Sequence, residues 1–134
     1  MIEFLILFAI TLVVFLGVDM IWLVKVAPKF YQSQIGHLMA EKPSMIPALV
    51  FYIIFIIGIV FFVGYPTYIS GIWWEAPVKG AAFGLATYAT YDLTNMATLK
   101  KWPLKVTIID LIWGTSLSAV TSTLVFFIAI WLGV

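Results

Sequence analysis

The sequence has no cysteine, no arginine and a single histidine, His37, and only 10% of its 134 residues are charged. Without cysteine there are no disulfides, no thiolate metal ligands and no thiol nucleophile. One histidine leaves no side-chain set for a histidine-based metal, haem or desaturase-like iron site, so neither a metal nor a cofactor is expected. The missing arginines, a net charge of +1 and the absence of any basic cluster argue against nucleic acid as a partner. No glycine-rich phosphate loop and no serine nucleophile elbow is present.

What is present is apolar. Hydrophobic residues make up 64% of the chain, against roughly half in an ordinary soluble domain. A water-soluble globule of this length would leave much of that surface exposed, so a single membrane domain is expected over residues 1–134. Crossing a hydrocarbon core takes about 20 helical residues, and four runs are long enough: about 2–24, 46–68, 77–98 and 104–132. The first carries Glu3 near its start and no basic residue before Lys25. It therefore reads as a retained span rather than a cleavable signal peptide.

The connection Lys25–Pro47 is the only long polar one. Phe30, Gln34 and Leu38, with Tyr31, Ile35 and Met39, recur at helical spacing, which predicts a short amphipathic helix on the membrane surface. The fold class is thus all-α: an integral membrane four-helix bundle with an interfacial helix between spans 1 and 2. Six of the seven lysines (Lys25, Lys29, Lys42, Lys100, Lys101, Lys105) fall at the first and third loops. The positive-inside rule places those loops in the cytoplasm and both termini outside. An inner (plasma) membrane is the expected location.

Three carboxylates interrupt the apolar runs. Each is expensive at the bilayer centre unless paired, solvated or protonated. Asp19 lies roughly 9 Å from Lys25 along a helix, Asp92 roughly 12 Å from Lys100 and Asp110 roughly 8 Å from Lys105. Three spans thus place an acidic group in one layer. Three close carboxylates in a low-dielectric site cannot all carry charge, so at least one is expected to hold a proton near neutral pH.

Neighbouring residues extend the layer. Gly80, Gly84, Tyr88, Tyr91 and Asn95 share one face of the third span, with Asp92 beside it. Gly80-xxx-Gly84 permits close helix approach. Thr107, Asp110, Gly114, Ser118 and Thr121 share a face of the fourth. The pattern Asp-x-Ile-Trp occurs twice, at Asp19–Trp22 and Asp110–Trp113, on helices expected to run oppositely. It reads either as coincidence or as the trace of an inverted repeat.

The strings Tyr88-Ala-Thr-Tyr-Asp-Leu-Thr-Asn95, Ala97-Thr98-Leu99, Trp102-Pro103 and Asp110-x-x-Trp113-Gly114 resemble the bacterial membrane family DUF2177. Asp19-x-x-Trp22, Tyr31, Ile35-Gly36-x-Leu38 and Phe51-Tyr52 resemble it too. The resemblance implies a membrane fold, singles out the same polar residues, favours a lipid substrate, and brings no established activity.

Three functions follow from these residues. The first is binding or transport of a small apolar or amphipathic molecule or an ion, coupled to protons. Asp19, Asp92 and Asp110 would carry the proton or bind a cation, and Tyr88, Tyr91, Asn95, Trp22 and Trp113 would contact the ligand. The second is an intramembrane enzyme acting on lipid or isoprenoid chains, with paired carboxylates as acid and base; its catalytic residues are unassigned. The third is an accessory subunit whose polar face meets a partner's helices. Membrane lipids are the expected surroundings. A homodimer is expected, packed through Gly80 and Gly84, with Gly114 as a further close-packing position.

Overall fold

A computed structural model describes all 134 residues, and it is all-helical. Helix α1 (Ile2–Lys25) is followed by the nine-residue α2 (Ala27–Ile35) and a single 3₁₀ turn, Gly36–Leu38. Then come α3 (Met45–Ser70), α4 (Glu75–Thr98) and α5 (Leu104–Leu132). A short helix thus exists where the spacing predicts one, with Pro28 in its first turn, where a missing N–H costs nothing.

Three helices, α1, α3 and α5, are long and apolar enough to cross a membrane. The expectation of four such spans is met in part. Helix α4 has the length, 24 residues, but its glycines, alanines, threonines, Tyr88, Tyr91, Asp92 and Asn95 dilute its apolar content.

Helix α3 is not regular throughout. Val60–Gly64 form a π-helical turn just before Pro66, with the Tyr65 N–H bonding back to the Val60 carbonyl. Proline cannot supply the next N–H and crowds the preceding turn, and a widened turn absorbs both defects without breaking the helix. Gly71, at φ 70°, then ends α3 in a left-handed conformation that glycine adopts without steric cost.

Helices α1 and α5 run antiparallel. Trp22 near the end of α1 stacks on Trp113 near the start of α5. At the other pole Phe4 packs on Tyr65, and the Tyr68 hydroxyl donates to the Val134 carbonyl at 2.6 Å. Between the poles lies an apolar core that includes Leu7, Phe15, Phe55, Ile56, Val60, Leu117 and Val125.

Helices α4 and α5 make the closest contact. A Cβ placed on Gly80 would lie 2.7 Å from both the Ser118 carbonyl oxygen and Ser122 Oγ. One on Gly84 would meet the Gly114 carbonyl, and one on Gly114 would enter the Tyr88 ring. The pairings Gly80–Ser122, Gly84–Ser118 and Tyr88–Gly114 run in opposite chain directions, so these helices are antiparallel as well. The three glycines are consumed within the chain. A dimer packed through Gly80 and Gly84 is therefore corrected: α5 occupies the surface a second copy would need.

Candidate functional site

The α4–α5 contact delivers two carboxyls to one place. Asp92 is four residues beyond Tyr88, and Asp110 four before Gly114, so the glycine-sized gap that seats Tyr88 also sets the aspartates opposite each other. The two carboxyls are close neighbours. Asp92 is fully buried, and Asp110 is 5% exposed.

Their surroundings differ. Asp110 accepts a hydrogen bond from the Tyr31 hydroxyl, brought in by α2. Neither oxygen of Asp92 has a donor. An ionised carboxyl is an acceptor only, so two carboxylates in contact form no bond, whereas one proton between them makes one. Were one proton shared between them, Asp110, already served by Tyr31, would be the acceptor and Asp92 the acid. Burial, and next the Asp110 carboxylate beside it, hold the Tyr31 phenol well above the usual tyrosine range. Tyr31 therefore remains a donor.

Asp19 lies apart from this pair. It is buried and accepts from the Tyr52 hydroxyl of α3 at 2.8 Å. The Trp113 indole nitrogen neighbours the Asp19 carboxyl without completing a hydrogen bond to it, and has no other partner. No three His, Asp or Glu side chains converge as a metal-holding group would. The acidic layer thus contains a pair and a separately satisfied single group. The Trp22 and Trp113 rings, centroids 4.6 Å apart and 11° from parallel, close the space between α1 and α5.

Of the other expected residues, Tyr88 is partly buried against Gly114, with its ring edge on Phe55. Tyr91 is exposed on one side, 6.2 Å from the Trp102 ring. Asn95 is partly buried near the end of α4, and its carbonyl accepts the Leu99 N–H. His37 is exposed in the 3₁₀ turn.

A cavity of about 720 Å³ opens onto Asp110. Ala27, Tyr31 and Ile35 of α2, with Met39 and Pro43 of the following connection, form one wall. Phe51 and Phe55 of α3 and Thr87, Tyr88 and Tyr91 of α4 form others. Its size falls in the ~300–1,000 Å³ range of small-molecule sites, and its pattern, mostly apolar with a few convergent polar groups, is theirs as well.

Tyr31 and Tyr52 are the partners that sequence reading left outside the candidate set. Tyr52 carries the lone hydroxyl between Met45 and Gly64 in an otherwise apolar run, a signal that it meets a polar group inside. Tyr31 offered its place on the short helix between spans 1 and 2 and its part in the family resemblance, and neither signal pairs it with Asp110.

No curated protein and no solved structure matches the chain. The family described as "Predicted membrane protein (DUF2177)" matches residues 4–127. With its spanning-length helices and nearly the whole sequence inside that match, the chain belongs to the DUF2177 family of membrane proteins.

Proposed function

We propose that the protein binds and carries a small amphipathic molecule across a bacterial plasma membrane, with the Asp92–Asp110 pair as its proton-handling group. One observation carries this reading: a completely buried Asp92 without a donor, set against an Asp110 that forms part of the wall of an apolar cavity. Burying two acceptor-only groups together is costly. A structural network would instead satisfy them, as Tyr52 satisfies Asp19. A shared proton lowers that cost and equips the site to exchange a proton when a ligand arrives.

In this reading α4 crosses the membrane beside α5, with Thr87, Tyr88 and Tyr91 turned to the cavity and Asp92 to α5. That makes four antiparallel long helices. The lysine-rich loops then lie in the cytoplasm, with both termini outside. A second copy would meet the exposed face of α4, where Ala82, Ala86, Thr90 and Thr94 recur every four residues.

Infrared spectroscopy tests the pair. At pH 7 a carboxylic-acid carbonyl band is expected in the native protein, lost in Asp92→Asn and retained in Asp19→Asn. A native spectrum without that band overturns the reading.

A further inference from the structure

We infer that the cavity is a site for a lipophilic organic cation, held by the Asp110 carboxylate. This deepens the proposal above, because it takes from it the single proton shared by Asp92 and Asp110.

The argument is charge complementarity inside an apolar enclosure. A pair of carboxyls with one proton keeps one net negative charge. No lysine or histidine lines the cavity, and no cation partners either carboxyl. An anionic headgroup, phosphate or carboxylate, would meet that charge with no counter-ion and a wall of low polarity. A neutral amphiphile would fill the apolar volume and leave the charge as it was. A monovalent cation both fills and neutralises.

The aromatic content points the same way. Tyr31, Tyr88, Tyr91, Phe51, Phe55 and Trp102 all line the space. Ring faces attract cations, most when water is excluded. Tyr31 orients Asp110 from one side, leaving its other lone pairs toward Asp92 and the cavity. The cavity borders Ala27, Pro28 and Met39, residues of the surface helix and its connection.

The test uses the full chain in uncharged detergent with two probes of the same shape and opposite charge, tetraphenylphosphonium and tetraphenylborate. Binding is read by equilibrium dialysis against empty micelles. Tetraphenylphosphonium is expected to bind saturably and tetraphenylborate not at all. Asp110→Asn is expected to weaken the cation at least tenfold, whereas Glu41→Gln, an exposed carboxylate outside the cavity, leaves it unchanged. Affinity is also expected to fall as the solution is acidified, since a second proton on the pair removes its charge. The other titratable groups around the pair are Tyr31 of α2, Tyr88 and Tyr91 of α4, then Asp19 and Tyr52. Their phenols and the distinct Asp19 site offer no substitute charge on the cavity wall.

Equal binding of the two probes, or cation affinity unmoved by both acidification and Asp110→Asn, overturns the inference. If Asp110→Asn does not fold, charge selectivity and pH dependence in the unsubstituted chain decide alone. Failure here with the infrared acid band present removes the cation and leaves the proton pair standing. Failure of both removes the pair as well.

Discussion

Replacing Gly84 with alanine adds one methyl at the point where α4 and α5 come closest. That methyl would lie 2.6 Å from Ser118 Oγ and nearer still to the Gly114 carbonyl oxygen. Ordinary contact begins at about 3.4 Å. The serine hydroxyl can turn aside, but the carbonyl is backbone in mid-helix and cannot, so the two helices must part by roughly an ångström. Forced overpacking of this kind costs about 1–3 kcal/mol, occasionally more. Here the loss extends to Tyr88, Asp92 and Asp110, all seated by the same approach. Two controls isolate the cause. At Gly17 an added methyl meets nothing within 4 Å, so Gly17→Ala gains about 0.5–1 kcal/mol of helix propensity. At Gly58 it meets the far end of the Phe83 ring at 3.1 Å, which a small ring movement relieves. Thermal unfolding in detergent, followed by fluorescence of the six tryptophans, should rank Gly17→Ala at or above the native chain. Gly58→Ala should lie close to it, and Gly84→Ala several degrees below. A Gly84→Ala protein that melts with the native one would mean that α4 does not rest on α5 there, and the juxtaposition of Asp92 with Asp110 would fall with it.

Tyr31→Phe removes the only donor to Asp110 apart from Asp92; a bond to a charged acceptor is worth about 1.5–3 kcal/mol, and a melting temperature equal to the native one would refute the pairing. Tyr52→Phe should be comparably costly at Asp19 while leaving the infrared band assigned to Asp92 in place. Glu75, drawn below its usual range by Lys79 and then Ser70, contributes stability that is present above the unfolded carboxyl range and lost as pH falls through its folded value. The ion pair is partly open to water through Lys79, so Glu75→Gln should lower the melting temperature at pH 7 only slightly. Because the chain has no cysteine, single cysteines at Ile2 and Lys101 give clean labelling from opposite sides of a sealed membrane, and labelling from the same side would overturn the four-crossing arrangement. A cysteine at Ala86 should form a disulfide-linked dimer in the membrane, and one at Phe15, buried in the core, should not.

Helix positions were legible because they follow from the length of the apolar runs. With Lys25, Lys100 and Lys105 taken as the membrane edge, counting inward at the helical rise puts Asp19, Asp92 and Asp110 near one level. Counting does not give rotation about each helix axis. Rotation is decided by which side chains are small enough to be buried against a neighbour, and only coordinates show that Gly80 and Gly84 face Gly114 and Ser118. That rotation turns Asp92 to Asp110, while Asp19 goes to Tyr52. The α3 π-turn was equally hidden, since Pro66 announces a defect but not the way it is absorbed. Helix α4 was read as a span like the others. Its apolar content is lower because one flank meets α5 and the cavity, a feature visible only once its neighbours are placed.

The twice-occurring Asp-x-Ile-Trp acquires a meaning from the arrangement. On two antiparallel helices the tryptophans stack, and each aspartate accepts a tyrosine hydroxyl from a different element, Tyr52 for Asp19 and Tyr31 for Asp110. Up to that point the two halves are chemically alike. Helix α4 breaks the likeness. It lies on α5 and brings Asp92 to Asp110, while Asp19 receives only the unfinished approach of the Trp113 indole. A pair of equivalent, satisfied carboxylates would be a structural clasp between α1 and α5. Adding a third, donor-less carboxyl to one of them creates the place where the proposed shared proton would reside. That place lies on the side where α2 and its connection cover the cavity, so whatever enters through that cover meets the one half of the clasp that is not chemically closed.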